Sequence, residues 1–393
     1  MHRVRHLFLH IDFSNKIHYN SQHEDADCIL FFHLVAVVTA STFYTYHIFS
    51  TQFGLIFKQR IFIMKKQKVM LTGVRPSGNL TLGNYLGAIK NFVTRQNQYK
   101  SYIFVADLHA ITSPRDPAEL KTAINDCMAM YLACGVDPEQ TIMFRQSDVL
   151  EHGIMGFIMT FQTHMGELSR MTQFKLKSQN VGKNGIDTGL FVYPPLMSAD
   201  ILLYNTDVVP VGLDQQQHVE LTRDLAQRFN KRYGDTFNEP DVYIAPVGNK
   251  ILNLQNPTEK MNKSDGPNPG TIFLMDDLKL IRKKIMAAVT DSESVVRFDE
   301  SAKPGISNLI SILAATTGES IESIEKRFTG RGYGDFKREV ADAVCDLIGN
   351  IQTKYQQFKN PDVLDAILTR GAERARIVAA ETLNRARVAL GLK

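Results

Sequence analysis

Cysteine is scarce in this chain, and its spacing excludes the common metal-binding motifs. The 393 residues contain four cysteines, and no two of them form a CxxC pair. A zinc or iron–sulfur site is therefore not expected, and no dedicated metal site is predicted. Scattered single thiols are typical of a reducing cytosol, where they serve as small core residues.

Two familiar phosphate-binding fingerprints are also absent. Neither GxGxxG nor GxxxxGK[ST] occurs, which excludes a dinucleotide fingerprint and a P-loop. The formal net charge is only +4, which permits a nucleic-acid partner without proving one. Apolar residues make up 44% and charged residues 22%, as in an ordinary globular protein that buries a full core.

Residues 1–63 lack proline and differ in composition from the rest. They contain one glycine, Gly54, but seven of the eleven histidines. The apolar run Cys28–Tyr44 is near the lower length limit of a membrane span, and His33 interrupts it. Three interpretations stay open: a translated region upstream of a working start at Met64, a disordered or loosely helical extension, and a membrane anchor or targeting segment. We therefore predict an atypical N-terminal extension, which is disordered or not part of the working protein.

Short apolar runs alternate with helical stretches between residues 64 and 269. The runs predicted as strands are Lys68–Val74, Ser101–Asp107, Thr141–Ser147, Asp207–Gly212 and Asp241–Val247. Between them, Pro117–Gly135 opens with proline and closes with glycine, as helices prefer. This alternation predicts an α/β domain with a doubly wound parallel sheet, whose ligands bind beyond the carboxyl ends of the strands.

Residues 270–393 are predicted to form a helical C-terminal domain, because their apolar residues recur at helical spacing. The final helix contains five arginines, Arg370, Arg374, Arg376, Arg385 and Arg387. A solvated helix face is the favoured interpretation of these arginines. Contact with RNA phosphates is the alternative.

A glycine-rich segment follows the first predicted strand. It reads VRPSGNLTLGNYLGAIK, Val74–Lys90, and turns helical at Tyr85. A strand, a bare turn and a helix start can together offer backbone N–H groups to an anion. Thr81 and Asn84 add side-chain donors. Taken alone, the segment fits a structural turn as well as a phosphate site.

A second segment, TEKMNKSD, contains two lysines three residues apart. Lys260 and Lys263 lie beside Ser264 in a loop flanked by proline and glycine. Such a lysine pair can close over a polyanion and stabilise charge that develops in a transition state. Surface loops with two lysines are common, so this segment alone is also a weak signal.

Together, the TLGN and KMNKS segments, about 175 residues apart, resemble the paired signatures of class I aminoacyl-tRNA synthetases. Five longer stretches are similar to the bacterial tryptophanyl-tRNA synthetases: RPSGNLTLGNYLGA, ADLHAIT, GELSRMTQFK, YPPLMSADILLY and VPVGLDQQQHVELTRDLAQRFN. The resemblance extends from about Lys68 to the C-terminus. It implies a Rossmann-type catalytic domain followed by a helical domain that reads the tRNA anticodon.

The resemblance implies an ATP site on both signatures. Its catalytic residues would be Thr81, Asn84, Lys260, Lys263 and Ser264. The further ATP-binding residues would be Arg75, Pro76, Ser77, Gly83, Lys177, Gly212, Leu213, Asp214, Ile251, Met261 and Asn262. Leu213 departs from the family, which usually has an acidic residue there. The residues themselves also predict a capping box at the start of a helix, between Asp214 and Gln217.

The resemblance also implies a tryptophan site. Asp200 would accept the indole N–H, because an aspartate on an apolar helix face is costly without a partner. A partner elsewhere in the protein is the alternative. The remaining tryptophan-binding residues would be Leu71, Gly73, His109, Tyr193, Met197, Val209, Val211 and Gln215. At Leu71 the family often has an aromatic residue.

The implied activity is that of a tryptophan–tRNA ligase. It would use ATP with Mg²⁺, L-tryptophan and tRNA(Trp), as a cytoplasmic homodimer with no membrane association. Two alternatives stay open: a tyrosyl-tRNA synthetase, and a non-catalytic synthetase-like regulator that binds tRNA or nucleotide. Asp200 and the KMNKS segment favour tryptophan over tyrosine, and the presence of both signatures favours an enzyme.

Overall fold

The first apolar run forms the central strand of a parallel sheet. The computed structural model describes residues 67–76, 80–179, 185–243, 251–262 and 268–393, apart from the side chain of Leu213. Within these ranges the strands are β1 Val69–Val74, β2 Lys100–Val105, β3 Thr141–Arg145, β4 Val208–Pro210 and β5 Asp241–Tyr243. Their order across the sheet is β3-β2-β1-β4-β5, and every pairing is parallel. The predicted α/β fold with a doubly wound parallel sheet is confirmed.

The strand order reverses between β1 and β4. β1 pairs with β2 along its whole length, from Val69 opposite Lys100 to Val74 opposite Val105. On its other side β1 meets β4, with Met70 opposite Val208. Neighbouring crossovers leave on opposite sides of the sheet at such a reversal, which opens a crevice at the carboxyl ends of the strands.

The fourth strand is shorter than the sequence predicts, and the fifth is described only in part. The predicted strand Asp207–Gly212 is reduced to Val208–Pro210. Pro210 has no N–H for the ladder, which favours a strand end at this residue. The predicted strand Asp241–Val247 is described only to Tyr243, and its remainder lies outside the described residues.

Helices flank the sheet and make up the C-terminal region. Helix α1 has three consecutive segments: Leu82–Asn84, a π-helical turn Tyr85–Ile89, and Lys90–Arg95. The helices that follow up to the last strand are α2 Asp107–Ala110, α3 Pro117–Ala133, α4 Glu151–Gln162, α5 Met165–Arg170, α6 Thr172–Ser178, α7 Thr188–Leu202 and α8 Gln216–Tyr233. After the last strand come α9 Leu278–Met286, α10 Pro304–Thr317, α11 Ile321–Arg327, α12 Tyr333–Phe358 and α13 Pro361–Ala389.

The last helix, α13, packs against the edge strand β3 of the sheet. Gly371 allows this close approach, because a Cβ at that position would lie 1.7 Å from the carbonyl oxygen of Met143. Three of its five arginines reach residues of the sheet-bearing part, namely Arg370 to Glu139, Arg376 to the carbonyl of Asp148, and Arg385 to Asn205. Arg370 and Arg376 remain exposed, so these contacts lie on the solvated helix face that the sequence predicts, and Arg385 is half-buried.

The cysteines of the described residues behave as core residues. Cys134 and Cys345 are buried, and Cys127 is half-buried. Residues 1–66, which include the predicted extension and its apolar run, lie outside the described residues. In the part of the chain that is described, we find no helix with the length and apolar character of a membrane span.

Candidate active site

A cavity of about 300 Å³ opens where the strand order reverses, between β1 and β4. Its lining consists of Leu71, Gly73, Arg75, Phe104, Ala106, His109, Tyr193, Met197, Ile201, Val209, Pro210, Val211, Asp214 and Gln215. Eight of the nine residues predicted to bind the amino acid belong to this lining, and Asp200 lies behind it. A mostly apolar wall with a few polar groups is typical of a small-molecule site.

Asp200, on α7, is 1% exposed and accepts hydrogen bonds from three side chains. Its Oδ1 lies 2.7 Å from Gln146 Nε2 and 2.6 Å from His152 Nδ1. Its Oδ2 lies 2.8 Å from Nε2 of His109, which also lines the cavity. Burial alone would raise the pKa of Asp200, but the hydrogen bonds and charges of His109 and His152 lower it to about 2. Asp200 is therefore ionised and held in place.

The hydrogen-bonded network continues behind Asp200. Nε2 of His152 lies 2.7 Å from the Tyr204 hydroxyl, and His152 is completely buried. A buried polar group is stable only when it is paired, so Asp200 and His152 depend on each other. The network fixes the wall of the cavity on the side of α7.

Tyr193 lines the cavity and has a partner of its own. Its hydroxyl lies 2.7 Å from Nε2 of His218, a residue of α8 that is 1% exposed. Burial, together with the positive charges of His109 and Arg75, lowers the pKa of His218 to about 4. His218 is therefore neutral at pH 7 and orients the Tyr193 hydroxyl without adding charge to the site.

The glycine-rich turn ends in a capping box at the start of α1. The Thr81 hydroxyl accepts from the Asn84 N–H at 3.2 Å, and Asn84 Oδ1 accepts from the Thr81 N–H at 3.0 Å. Thr81 also donates its hydroxyl to Asn84 Oδ1, at 3.1 Å, and is completely buried. The structure thus places Thr81 as the support of Asn84, and not as a free donor as the sequence predicts.

The two signature segments meet at this turn. A Cβ at Gly83 would lie 3.5 Å from Cβ of Met261 and 3.6 Å from Cβ of Ile251, so both residues pack against the turn at van der Waals distance. The chain that follows the lysine loop is bonded to the same turn, through the antiparallel bridge between Thr81 and Phe273. Segments about 175 residues apart in the sequence are therefore in contact.

A smaller recess of about 90 Å³ adjoins the cavity and gathers positive charge. Arg75, Arg115 and Lys177 all line it, and Arg115 donates to the carbonyl of Pro76 at 3.2 Å. Desolvation and the charge of Arg75 lower the pKa of Lys177, and the charge of Asp214 opposes them. Clustered cations beside an open cavity fit an anionic ligand.

The sequence and the structure of this chain are similar to those of known proteins. The sequence model of a family described as tRNA synthetases class I (W and Y) matches residues 64–348. The chain belongs to this family. Relatives and solved structures from this family are similar to this class I synthetase over most of the chain.

The relatives include a protein named tryptophan–tRNA ligase from Oceanobacillus iheyensis, which is 52% identical over 325 residues, or 83% of this chain and 99% of the relative. A crystal structure of tryptophanyl-tRNA synthetase from Mycoplasma pneumoniae has a TM-score of 0.74 and 40% identity, covering 83% of this chain and 98% of that one. A crystal structure of tryptophanyl-tRNA synthetase from Campylobacter jejuni, in complex with ADP and tryptophan, has a TM-score of 0.71 and 34% identity. The match covers 82% of this chain and 99% of that one.

One local prediction in this synthetase is wrong. Asp214 does not cap helix α8, which begins at Gln216 with Gln215 at its N-cap and no side-chain cap. A 3₁₀ turn, Leu213–Gln215, precedes the helix, and the Asp214 carboxylate accepts from Gln215 Nε2 at 3.0 Å. The Gln217 side chain instead accepts from the N–H of Thr172, at 2.9 Å. Asp214 therefore remains exposed at the rim of the cavity.

Only some of the predicted ATP-binding residues of this synthetase lie among the described residues. Lys260 and Asn262 are exposed, and Met261 is buried against the glycine-rich turn. Gly212 is exposed beside Asp214 at the end of β4. Ser77, Lys263, Ser264 and the side chain of Leu213 lie outside the described residues.

Several residues behind the cavity wall of this synthetase were not predicted from its sequence. Gln146, His152 and His218 are buried polar residues, and Arg115 belongs to the recess. A buried polar residue at an apolar helical position is a usable signal for His218, which lies in the same helix as the buried Val219 and Leu221. Arg115 lies in a loop and Gln146 begins a 3₁₀ turn directly after β3, so no helical periodicity marks them.

Proposed function

We infer that the protein is a tryptophan–tRNA ligase, which activates tryptophan with ATP and then transfers it to the 3′ end of tRNA(Trp). One observation carries this conclusion: the cavity is lined by eight of the nine residues expected for tryptophan, and the turn that follows β1 of the same cavity is in contact with the second signature. The 52% identity to a tryptophan–tRNA ligase over nearly its whole length supports tryptophan over tyrosine.

The reaction needs no nucleophile from the enzyme. The carboxylate of tryptophan is ionised at neutral pH and attacks the α-phosphate of ATP. A bond forms between the carboxylate oxygen and phosphorus, the bond to the leaving phosphate breaks, and pyrophosphate departs. The ribose hydroxyl of the tRNA then attacks the acyl carbon and AMP leaves. Catalysis is accordingly a matter of positioning and of charge stabilisation.

ATP would lie across the junction of the two signatures. Gly83 leaves the turn without a side chain, Met261 packs against it from the second signature, and Ile251 would lie beside the adenine. Arg75 and Lys177 would contact the phosphates, and the loop with Lys260, Lys263 and Ser264 would close over them. Asn84, oriented by Thr81, would donate to a phosphate oxygen, and Gly212 and Asp214 would meet the ribose.

Mg²⁺ would accompany the triphosphate. The described lining of the cavity and the recess contains one carboxylate, Asp214, and no group of three or more histidine, cysteine or acidic side chains suited to a metal is found among the described residues. Such a donor set fits a cation held mainly by phosphate oxygens and water, which is how Mg²⁺ commonly binds nucleotides. The ion would supply positive charge beside the phosphates.

Asp200 would choose the amino acid. Among the described residues, its Oδ2 accepts one hydrogen bond, from His109, and a carboxylate oxygen can accept two. The indole N–H of tryptophan would take the second. A rigid acceptor of this kind rejects phenylalanine, which has no donor at that place, because the acceptor would be left without its partner. Met197, Val209 and Val211 would hold the indole ring, and Tyr193 and Gln215 its polar end.

The helical region, residues 270–393, would read the anticodon of tRNA(Trp). Its helices follow the catalytic residues 64–269 in the chain, and α13 packs against β3 of the sheet. This division of labour between residues 64–269 and 270–393 rests on the resemblance to the family. We place the protein in the cytoplasm, where charged tRNA is used.

We also propose that two copies associate through helix α4. Its exposed face carries an apolar stripe at helical spacing, with Leu150, Ile154, Phe157 and Phe161 between 51% and 75% exposed. The rings of Phe157 and Phe161 touch edge to face, 4.8 Å apart. An uncharged stripe fits a second copy of the chain better than RNA. Sedimentation of Phe157→Glu should show a monomer at concentrations where the unmodified protein is a dimer. A dimer that survives this change would exclude α4.

Tryptophan-dependent exchange of pyrophosphate into ATP tests the activity directly. We expect exchange with tryptophan and none with tyrosine, followed by charging of tRNA(Trp). Exchange that depends on tyrosine would identify a tyrosyl enzyme instead. Binding of tRNA without any exchange would identify a non-catalytic regulator. Because the chain contains no tryptophan, indole fluorescence also reports binding of the amino acid alone.

A further inference from the structure

The lysine motif lies on a short two-stranded arm. Leu252 pairs with Lys260 in an antiparallel bridge. Asn253 and Met261 donate the arm's own hydrogen bonds, of 2.8 and 3.1 Å, on either side of that pair. In an antiparallel ladder, the residues between such bonds direct their N–H and C=O groups away from the partner strand. Leu252 therefore presents both groups to the outer edge of the arm.

Asn308 satisfies both of these groups. It lies on α10 and is 4% exposed. Its Oδ1 accepts from the N–H of Leu252 at 2.8 Å, and its Nδ2 donates to the carbonyl of Leu252 at 3.0 Å. The side-chain amide thus supplies the donor and the acceptor that a third strand would offer. An aspartate at this position would supply acceptors only.

Helix α10 supports the other signature as well. Lys90, in α1, donates to the carbonyl of Ala315 near the end of α10. Helix α1 begins with the TLGN turn, and Gly83 of that turn packs against Met261 of the arm. One helix therefore contacts both segments that form the ATP site. A shift of the arm along α10 would separate Met261 from Gly83.

We propose that Asn308 is a positioning residue for ATP. By pairing with both backbone groups of Leu252, it sets the arm at the one register that brings Lys260 and Met261 to the glycine-rich turn. Asn308 touches neither ATP nor tryptophan, and it acts through the arm alone. The proposal rests on the proposed function, since it assumes that these two segments bind ATP.

Kinetics of Asn308→Ala and Asn308→Asp test the proposal. A misplaced arm should lower kcat/KM for ATP in pyrophosphate exchange by about 10²-fold in the alanine variant, and by less in the aspartate variant, which keeps one bond. The Kd of tryptophan, measured by indole fluorescence without ATP, should stay within twofold, roughly the scatter of such measurements. Asn308→Gln, which keeps both groups on a longer stem, should recover part of the loss.

Asn230 offers a matched control. Its side chain also pairs with both backbone groups of one residue, accepting from the N–H of Phe237 at 2.9 Å and donating to the Phe237 carbonyl at 2.8 Å. Asn230 lies near the C-terminal end of α8, and its Oδ1 accepts from the N–H of Thr236 as well, at 3.0 Å. Asn230→Ala should lower the Tm without changing kcat/KM for ATP. Both variants are compared at a temperature where each is folded.

The outcomes separate this inference from the proposed function. If the unmodified protein shows no tryptophan-dependent exchange, the proposed function fails. If it is active and folded Asn308 variants keep their kcat/KM for ATP, only this inference is overturned. An equal loss for ATP and for tryptophan, or failure of both Asn308→Ala and Asn308→Asp to fold, would assign Asn308 to general stability and would also overturn it.

Discussion

The amino-acid side of the cavity is buried and bonded, whereas the phosphate side is open to solvent. Asp200 is 1% exposed and has three hydrogen-bond donors, and His218 behind Tyr193 is equally buried. Lys177 and Lys260, on the phosphate side, are exposed. One side must distinguish tryptophan from other amino acids, which a rigid, desolvated acceptor does well. The phosphate side must bind and release a polyanion, for which exposed lysine side chains suffice.

Asp200→Ala should break the buried side most severely. The change leaves His109, Gln146 and His152 without their common acceptor, so we expect the free energy of unfolding to fall by about 3–5 kcal/mol. We also expect kcat/KM for tryptophan to fall by about 10⁴-fold, with loss of discrimination against phenylalanine. Pyrophosphate exchange with both amino acids and urea unfolding measure the two effects.

Asp116→Ala is the control for Asp200→Ala. Asp116 caps α3, where its carboxylate accepts from two backbone N–H groups at the surface. Its removal should cost about 1 kcal/mol of stability and leave kinetics unchanged. An Asp200→Ala variant that keeps its preference for tryptophan would show that another group reads the indole.

Lys263→Ala should affect the open side, and chiefly the transition state. Loss of one charge that stabilises the reacting phosphates should lower kcat of exchange by about 10²- to 10³-fold. The Kd of tryptophan should not change, because the amino-acid side is built independently. Lys279→Ala, at the exposed start of α9, is the control and should be silent. Parallel losses of kcat and tryptophan affinity would mean that the two sides are coupled.

The sequence predicts the sheet and the open side better than the buried network. The glycine-rich turn and the lysine pair can both be recognised in a sequence, because each is a short stretch with the residue types that polyanion binding requires. Strand periodicity also gives β1 to β3 within two residues of their observed bounds. The two signatures could be paired only through the resemblance, since contacts across about 175 residues leave no local trace.

The buried network depends on tertiary contacts that no spacing encodes. Gln146, His152 and Asp200 lie on three different elements, and only the packing of α4 and α7 on the sheet brings them together. The failed cap at Asp214 has a similar cause, because the geometry of the preceding 3₁₀ turn overrides the local capping pattern. Local propensity is a weak guide wherever tertiary structure decides the backbone.

His218→Gln should sharpen the comparison through pH. The pKa of His218 is lowered to about 4 in the folded protein, against an ordinary value of 6.5, so the folded state resists protonation. Its contribution to stability is complete above pH 6.5 and is lost as the pH falls towards 4. The unmodified protein should therefore lose roughly 3 kcal/mol of unfolding free energy over this window that the glutamine variant does not lose.

Urea unfolding of both proteins at several pH values measures the effect of His218→Gln. Asp200 does not contribute in this window, because its lowered pKa places its loss between pH 3.8 and about 2. His164→Gln, at an exposed histidine, should keep the slope of the unmodified protein. Equal slopes for His218→Gln and the unmodified protein would mean that folding does not lower the pKa of His218.

Lys177→Ala should have the smallest effect, because the charge it removes is exposed. Water and salt screen such a charge, so we expect KM for ATP to rise by about three- to tenfold at low ionic strength and by less at high salt. Lys175→Ala is a matched control, since Lys175 lies on the same exposed helix, α6, but not at the recess. The Kd of tryptophan should be unchanged in both variants. The effect on ATP kinetics could instead be as large as that of Lys263→Ala and insensitive to salt. Lys177 would then be desolvated when ATP binds, and the phosphate side would close more completely than its open form indicates.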